Sequence, residues 1–356
     1  MRSRALLALF MTLVLTLAAV AGASGMSPKV TTSVYDDFTA TGGYSLATYA
    51  SKWSNIYGLG DMDPLAGPDT RSFADGSFFI NDAPFRTAYD YSVFDHLKYI
   101  AISNSTFAVP SNGSLTFSSD IKAQTPGTQP GRVVHGTYGP PGSYPAGAPY
   151  SATVLQGQQA GAVMNMINFA TGQLFDWFIS GDRAFALIER LPSSVTNPGV
   201  LPSSPDWVGA DKMYTQIIVE VPVAANTTHH VSITYTRGVG NGNSTVEYFL
   251  DGARVAKVKN VGIPMDRQKG QDYTGIYPSF GGGEVLKDKL DSFAIGHGTF
   301  SLLDAFPFQW CFPGSGPGSA EACAASVSIP VSERLFGQGV VANFDNFAVT
   351  TKTNGN

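Results

Sequence analysis

The stretch VSITYTRGVGNGNSTVEYFLDGARVAKVKNVG, from Val231 to Gly262, contains the clearest β-meander in the chain. Hydrophobic and polar side chains alternate along it with a period of two, which is typical of strands that bury one face. Asp251-Gly252 separates two of the alternating runs, and this dipeptide favours a tight hairpin because both turn residues take positive φ. The stretch therefore predicts antiparallel strands at His229–Arg237, Thr245–Leu250 and Ala253–Lys259.

The same alternation recurs along most of the chain. In Ser114–Thr125, Leu115 and Phe117 point to one side while Thr116 and Ser118 point to the other. Further strands are predicted at Gly161–Phe169, Gln173–Ser180, Arg183–Arg190, Met213–Val221 and Val340–Thr350. Many short strands with no helices between them predict an all-β protein, a sandwich or a barrel.

The composition agrees with this fold class. The 356 residues include 39 glycines and 22 prolines, and only 14% are charged, which favours strands joined by turns. Hydrophobic residues make up 43% of the chain, enough to fill a core. Only Ser45–Trp53 has a helical pattern, of one or two turns. No linker divides the chain, so we expect one domain over residues 24–356.

The N-terminal segment predicts export. Arg2 and Arg4 precede an apolar run from Ala5 to about Val20, and Ala21-Gly22-Ala23 supplies the small residues of a cleavage site. We therefore interpret residues 1–23 as a secretory signal peptide and expect a secreted chain with no membrane span after cleavage. The net charge of −5, without a basic patch, excludes nucleic acid as an expected partner.

Two further features fit an extracellular protein. Four Asn-X-Ser/Thr sequons predict N-glycosylation at Asn104, Asn112, Asn226 and Asn243. Two cysteines, Cys311 and Cys323, flank a short Gly/Pro/Ser loop, and a disulfide across that loop is expected in an oxidising compartment.

Three segments resemble the concanavalin A-like lectin/glucanase superfamily. They are the opening Tyr35-Asp36-Asp37-Phe38 with Trp53 downstream, the meander from Val231 to Gly262, and the closing NFDNFAV at Asn343–Val349. The resemblance implies a jelly-roll β-sandwich of two antiparallel sheets. It does not fix an activity, because one fold hosts many functions.

The glucanases of this superfamily carry Glu-X-Asp-X-X-Glu on one strand, and this chain has no such string. A looser constellation remains. If Ser180-Gly181 is a two-residue turn, Asp176 pairs with Phe185, and alternation places a polar and aromatic set on one sheet face. Its members are the candidate catalytic residues Asp176 and Glu189 and the candidate binding residues Arg183, Phe178 and Phe185. Carboxylates, an arginine and aromatic rings suit a sugar groove, while the alternative is a solvated face with a weak Asp–Arg ion pair.

A second group of candidates surrounds two histidines. On a strand, His96 and Lys98 share a face, so that His96 is a candidate base and Lys98 a candidate anion-binding residue. His135 is a further candidate that could face the same cleft. The alternative is an ordinary histidine near a sheet edge. Asp61 and Asp63 offer two carboxylates to calcium, although a capped turn before Pro64 is the favoured interpretation, and no cofactor is predicted.

Two functions follow from these observations. The first is a secreted, lectin-like protein that binds a glycan or a small-molecule ligand. The second is an enzyme with an atypical site, either a glycan hydrolase or lyase or a secretory-pathway enzyme acting on a small hydrophobic metabolite. The missing catalytic string favours binding.

Overall fold

The computed structural model describes residues 27–55, 70–86, 97–138, 149–153, 159–191, 193–208, 214–240, 242–261, 284–286, 290–301, 327–328 and 330–354. In chain order the strands are β1 Lys29–Asp36, β2 Trp53–Asn55, β3 Thr70–Ala74, β4 Ser77–Asp82, β5 Leu97–Ser103, β6 Phe107–Ala108, β7 Gly113–Gln124, β8 Val133–Tyr138, β9 Pro149–Thr153, β10 Gly161–Asn168, β11 Gln173–Ser180, β12 Arg183–Arg190, β13 Tyr214–Pro222, β14 Thr228–Thr236, β15 Thr245–Leu250, β16 Ala253–Val258, β17 Asn260–Val261, β18 Glu284–Val285, β19 Ser292–Phe300, β20 Val327–Ser328 and β21 Val340–Thr353. The short helices are α1 Leu46–Lys52, α2 Ser193–Thr196 and α3 Val331–Arg334.

Two antiparallel sheets of eight strands form the sandwich. Sheet 1 has the order β16-β15-β14-β7-β21-β4-β3, and β1 also pairs with β21. Sheet 2 has the order β13-β12-β11-β10-β19-β5-β2, and β6 also pairs with β19. Two small sheets, β17-β18 and β20-β8-β9, lie outside them. The predicted all-β jelly-roll sandwich of two antiparallel sheets is therefore confirmed.

The core lies between the two sheets and follows the alternation. Phe175, Trp177 and Ile188 from sheet 2 pack with Tyr235 and Tyr248 from sheet 1, and all five are buried. Two hydrogen bonds cross the core: Trp177 Nε1 donates to the Ser232 carbonyl at 3.0 Å, and Tyr248 Oη donates to the Leu187 carbonyl. The predicted inward face of β11 and β12 is confirmed.

Asp36 joins the start of the chain to this core. Its buried carboxylate accepts hydrogen bonds from Trp53 Nε1 at 2.7 Å, Lys52 Nζ at 2.7 Å and Tyr44 Oη at 2.5 Å. The predicted helix is α1, which begins after its N-cap residue Ser45. The carboxylate therefore ties β1 to α1 and β2.

A second buried cluster surrounds His297 on the inner face of β19. Its Nε2 lies 2.8 Å from Tyr49 Oη, which lies 2.6 Å from Tyr99 Oη, and Trp53 and Phe344 rings pack against the imidazole. Burial, assisted by the charge of Arg71, lowers the pKa of His297 to about 3. The histidine is therefore neutral and belongs to the core.

One predicted turn differs from the structure. Gly181-Asp182, rather than Ser180-Gly181, connects β11 to β12, because Ser180 pairs with Arg183. Asp176 consequently pairs with Leu187 and not with Phe185. The register moved by two residues, and a shift of two leaves every side chain on its predicted face.

Several predictions concern residues outside the described part of the chain: the signal peptide at 1–23, the disulfide between Cys311 and Cys323, the calcium candidates Asp61 and Asp63, and the candidate base His96. They stay predictions. Within the described residues, no helix has the length and apolarity needed to cross a membrane.

Replacing Asp36 tests the role of its carboxylate. Asp36→Ala leaves the buried Trp53 Nε1 without its acceptor and Lys52 without its ion pair, so we expect unfolding free energy to fall by about 2–4 kcal/mol. The neighbouring Asp37, a half-buried residue whose carboxylate accepts locally from Thr39, is the matched control, and Asp37→Ala should cost less than about 1 kcal/mol. Urea unfolding measures both, and equal losses would contradict the assignment.

Candidate functional site

The outer face of sheet 2, which points away from sheet 1, carries the polar residues that the sequence placed together. Its members include Val163, Asn165 and Ile167 on β10; Leu174, Asp176, Phe178 and Ser180 on β11; Arg183, Phe185, Leu187 and Glu189 on β12; and Gly296 and Gly298 on β19. Every one of them except Arg183 is buried. The alternative of a solvated outer face is therefore wrong for these strands.

Asp176 lies at the centre of this face. Only 3% of the residue is exposed, and one carboxylate oxygen accepts a hydrogen bond from Asn165 Nδ2 at 2.7 Å, directly across the β10–β11 pair. Burial raises the pKa of Asp176 to about 7, although the Asn165 hydrogen bond acts in the opposite direction. At mildly acidic pH the side chain is therefore a neutral acid that can donate a hydrogen bond.

Asn165 leaves an acceptor unused. The residue is fully buried, and its Oδ1 has no hydrogen-bond partner within the described part of the chain. Gly296 lies across from it on β19, and a Cβ at Gly296 would come within 2.5 Å of Ile102 Cδ1 and 3.2 Å of that Oδ1. An acceptor and a protonated acid thus stand side by side next to a glycine with no room for a side chain.

Glu189 is the second buried carboxyl of the outer face. It pairs with Leu174, while Asp176 pairs with Leu187, so Glu189 and Asp176 are diagonal neighbours on adjacent strands. The Cα atoms of such neighbours lie ~7–8 Å apart. The pKa of Tyr248, in sheet 1, is raised chiefly by burial and further by the charges of Asp176 and Glu189. The structure therefore brings together the two carboxyls that the sequence proposed as catalytic.

The proposed binding residues lie on the same face but do not all contact Asp176. Phe178 and Phe185 pair across β11–β12, with ring centroids 6.1 Å apart and an edge-to-face angle of 78°. Arg183 forms its ion pair with Glu220 on β13, not with Asp176. The aromatic pair therefore adjoins the carboxyls, and the arginine lies at the hairpin end of the strands.

The remaining candidates do not adjoin Asp176, and β5, which carries Lys98, is separated from β11 by β10 and β19 in sheet 2. Lys98, on β5, is buried, donates to the Arg86 carbonyl at 3.1 Å and lies 5.8 Å above the Phe85 ring. His135, on β8 of the three-stranded sheet, is exposed, and its Nδ1 lies 3.2 Å from Glu333 Oε2 on α3. That sheet is separate from sheet 2, so His135 is not on the outer face.

Asn165 was not among the residues predicted from the sequence. The signal was present, because Asn165 is the one polar residue in the run AVMNMI of β10 and lies eleven positions before Asp176 across a short turn. No group of three or more metal-binding side chains occurs among the described residues.

Three solved structures illustrate what the fold is similar to. An endo-1,3-β-glucanase from Streptomyces sioyaensis matches with 11% sequence identity and a TM-score of 0.39. The match covers 94% of this chain and 99% of the glucanase. An alginate lyase, vAL-1, from Chlorella virus has 10% identity, coverages of 85% and 95%, and a TM-score of 0.34. A legume lectin-like domain from Entamoeba histolytica has 7% identity, coverages of 86% and 92%, and a TM-score of 0.31.

By their names these matches are a glucanase, a lyase and a lectin-like domain. Their identities and scores are too low to bear on function. No curated protein matches the sequence. One family model matches residues 73–353, most of the chain. The chain therefore belongs to the family of unknown function DUF6081.

Proposed function

We propose that this chain binds glycan on the outer face of sheet 2, with Asn165 and Asp176 as the hydrogen-bonding centre. The observation that carries the proposal is the unused Oδ1 of the fully buried Asn165, next to a carboxyl whose pKa is raised to about 7. A buried acceptor without a partner costs about 1–3 kcal/mol. Asn165 and Asp176 are buried in the ligand-free chain, so the proposal requires the cover of this face to open, and a ligand hydroxyl that then donates to Oδ1 recovers this free energy.

The two groups complement a sugar diol. Asn165 Oδ1 accepts from one hydroxyl, while the protonated Asp176 donates to the next through the oxygen that Asn165 leaves free. The edge-to-face pair Phe178 and Phe185 supplies apolar surface beside them. Sugar sites combine a few convergent polar groups with aromatic surface in this way.

The proposal includes secretion and glycosylation of the chain. Support comes from the N-terminal segment 1–23, whose sequence has the form of a signal peptide. Asn104, Asn226 and Asn243 are exposed, so a glycan at these sequons would be solvated, whereas Asn112 is half-buried. The ligand is then a glycan or small molecule met outside the cell.

A second candidate function, glycan hydrolysis, is favoured by the raised pKa of Asp176 beside Glu189. Asp176 would give its proton to the glycosidic oxygen as the bond from that oxygen to the anomeric carbon breaks. Glu189 would take a proton from a water molecule whose oxygen bonds to the same carbon from the other side.

Asn165→Ala tests the binding proposal. It removes the acceptor and the hydrogen bond to Asp176, so we expect affinity for a glycan identified on an array to fall at least about tenfold. Isothermal titration calorimetry measures the change. The matched control is Asn168→Ala on the same strand, because Asn168 Nδ2 donates to the Ser292 carbonyl and its Oδ1 accepts from Thr171. That variant should lose stability but keep affinity; equal affinities in both variants would rule out Asn165 as the centre.

The protonation of Asp176 predicts a pH-dependent stability. The unfolded chain ionises this group near the ordinary aspartate pKa of 3.8 and the folded chain near 7, so the folded state holds the proton between these values. The resulting stabilisation is complete below about pH 4 and is lost as pH rises through 7. Asp176→Asn abolishes this stabilisation. From pH 4 to pH 8 the unfolding free energy of the wild type should therefore fall by up to about 4 kcal/mol relative to that of the variant, at ~1.4 kcal/mol per pKa unit.

Urea unfolding across this pH range measures the difference between the two chains. Asp182→Asn, in the exposed turn after β11, is the control and should follow the wild-type profile. A profile of Asp176→Asn parallel to the wild type would show that Asp176 ionises normally.

Glu189→Gln separates binding from hydrolysis. If the chain is a hydrolase, reducing-end release from the array-positive polysaccharide falls at least about a hundredfold in Glu189→Gln and in Asp176→Asn. Glu247→Gln, on the opposite sheet, is the control and should keep full activity. Unchanged release in Glu189→Gln excludes this mechanism, and binding without release supports the lectin-like function alone.

A further inference from the structure

Strand β1 is an edge strand with little covering it. Within the described chain β1 pairs only with β21, so its other edge presents unpaired backbone groups. Every residue from Lys29 to Val34 is exposed, and only Tyr35 and Asp36 turn into the core. Edge strands are usually protected by prolines, bulges or several charges. In β1 the proline, Pro28, lies before the exposed stretch and the register shift, between Val34 and Asp36, lies at its end, while the stretch itself has a single charge, at Lys29.

The exposed side chains of β1 include two large apolar ones. Val30 is 58% and Val34 is 61% exposed, and both lie on the outer face of sheet 1 with Thr32 between them. They are two of the few exposed large hydrophobic residues in the described chain. Apolar side chains beside unpaired strand groups mark a surface for strand addition.

We propose that two copies of the chain associate through β1, antiparallel and centred on Thr32. In this register Val30 faces the partner's Val34, and Thr31 faces the partner's Ser33. Thr32 lies on the two-fold axis and faces the partner's Thr32. Directly opposed residues share a face in an antiparallel pair, so both valines are covered. The contact is two-fold symmetric and closed, and it joins the two copies of sheet 1 into one continuous sheet.

The register also continues a row of hydroxyl groups. Across sheet 1, Thr32 Oγ1 lies 2.8 Å from Thr350 Oγ1, and Thr116 Oγ1 lies 2.7 Å from Thr234 Oγ1. Thr350 pairs with Thr116, so these four threonines form one row that ends at Thr32. Because the two-fold axis lies at Thr32, the partner's row of threonines continues this row across the interface.

One strand pair buries less than the ~1,600 Å² of a standard interface, so we expect a reversible dimer with a dissociation constant on the order of 10 µM. Sedimentation equilibrium of the purified chain over a range of concentrations measures it. A chain that stays monomeric at about twenty times that concentration overturns the proposal.

Charge substitutions at Val30 and Val34 test the register. Val30→Lys with Val34→Lys places like charges opposite each other twice, so the dissociation constant should rise at least about tenfold. Val30→Glu with Val34→Lys places opposite charges there, and dimerisation should return to within about threefold of the wild type. Both positions are exposed, so each double variant should fold, which circular dichroism verifies.

The two variants have two charges each at the same positions and differ only in the sign at position 30. If both weaken the dimer equally, the Thr32-centred register is wrong. If neither changes it, β1 is not the contact.

Discussion

The hydrogen bond from Asn165 to the buried carboxyl of Asp176 is the interaction on which the proposed site depends. Period-two alternation in β10, β11 and β12 gives sheet 2 an inner face of large apolar side chains and an outer face that is also buried. A carboxyl on such a face ionises only at a pH above its ordinary pKa, because burial removes the water that would stabilise its charge. The Asn165 amide donates a hydrogen bond to one oxygen of this carboxyl, while its own Oδ1 has no partner in the described part of the chain.

The rest of the sandwich explains why this pair differs from other buried polar groups. Asp36 is surrounded by donors from Tyr44, Lys52 and Trp53, and it serves to fix the first strand and helix. His297 is neutral and enclosed by aromatic rings on the inner face of the same sheet. Both belong to the packing between the sheets. Asn165 and Asp176 point away from it, where their hydrogen-bonding capacity does not hold the two sheets together.

Much of the fold followed from alternation alone. The bounds of β11, β12 and β15 agree with prediction, and the Asp251-Gly252 turn has positive φ at both residues. The β11–β12 turn was wrong by one residue, yet the faces were right because the register error was two. The burial of the outer face could not be predicted, since an isolated strand does not show what lies over its second side. Asn165 was missed because its partnership with Asp176 requires the β10–β11 register, which alternation leaves open.

Carboxyl-carbon NMR of the chain labelled at Asp Cγ tests the central claim most directly. The resonance that disappears in Asp176→Asn identifies the group, and its titration gives the pKa in the folded protein. We expect a midpoint near 7 and a resonance that shifts when an array-positive glycan is added. A midpoint near the ordinary value of ~3.9, with no response to glycan, would contradict it.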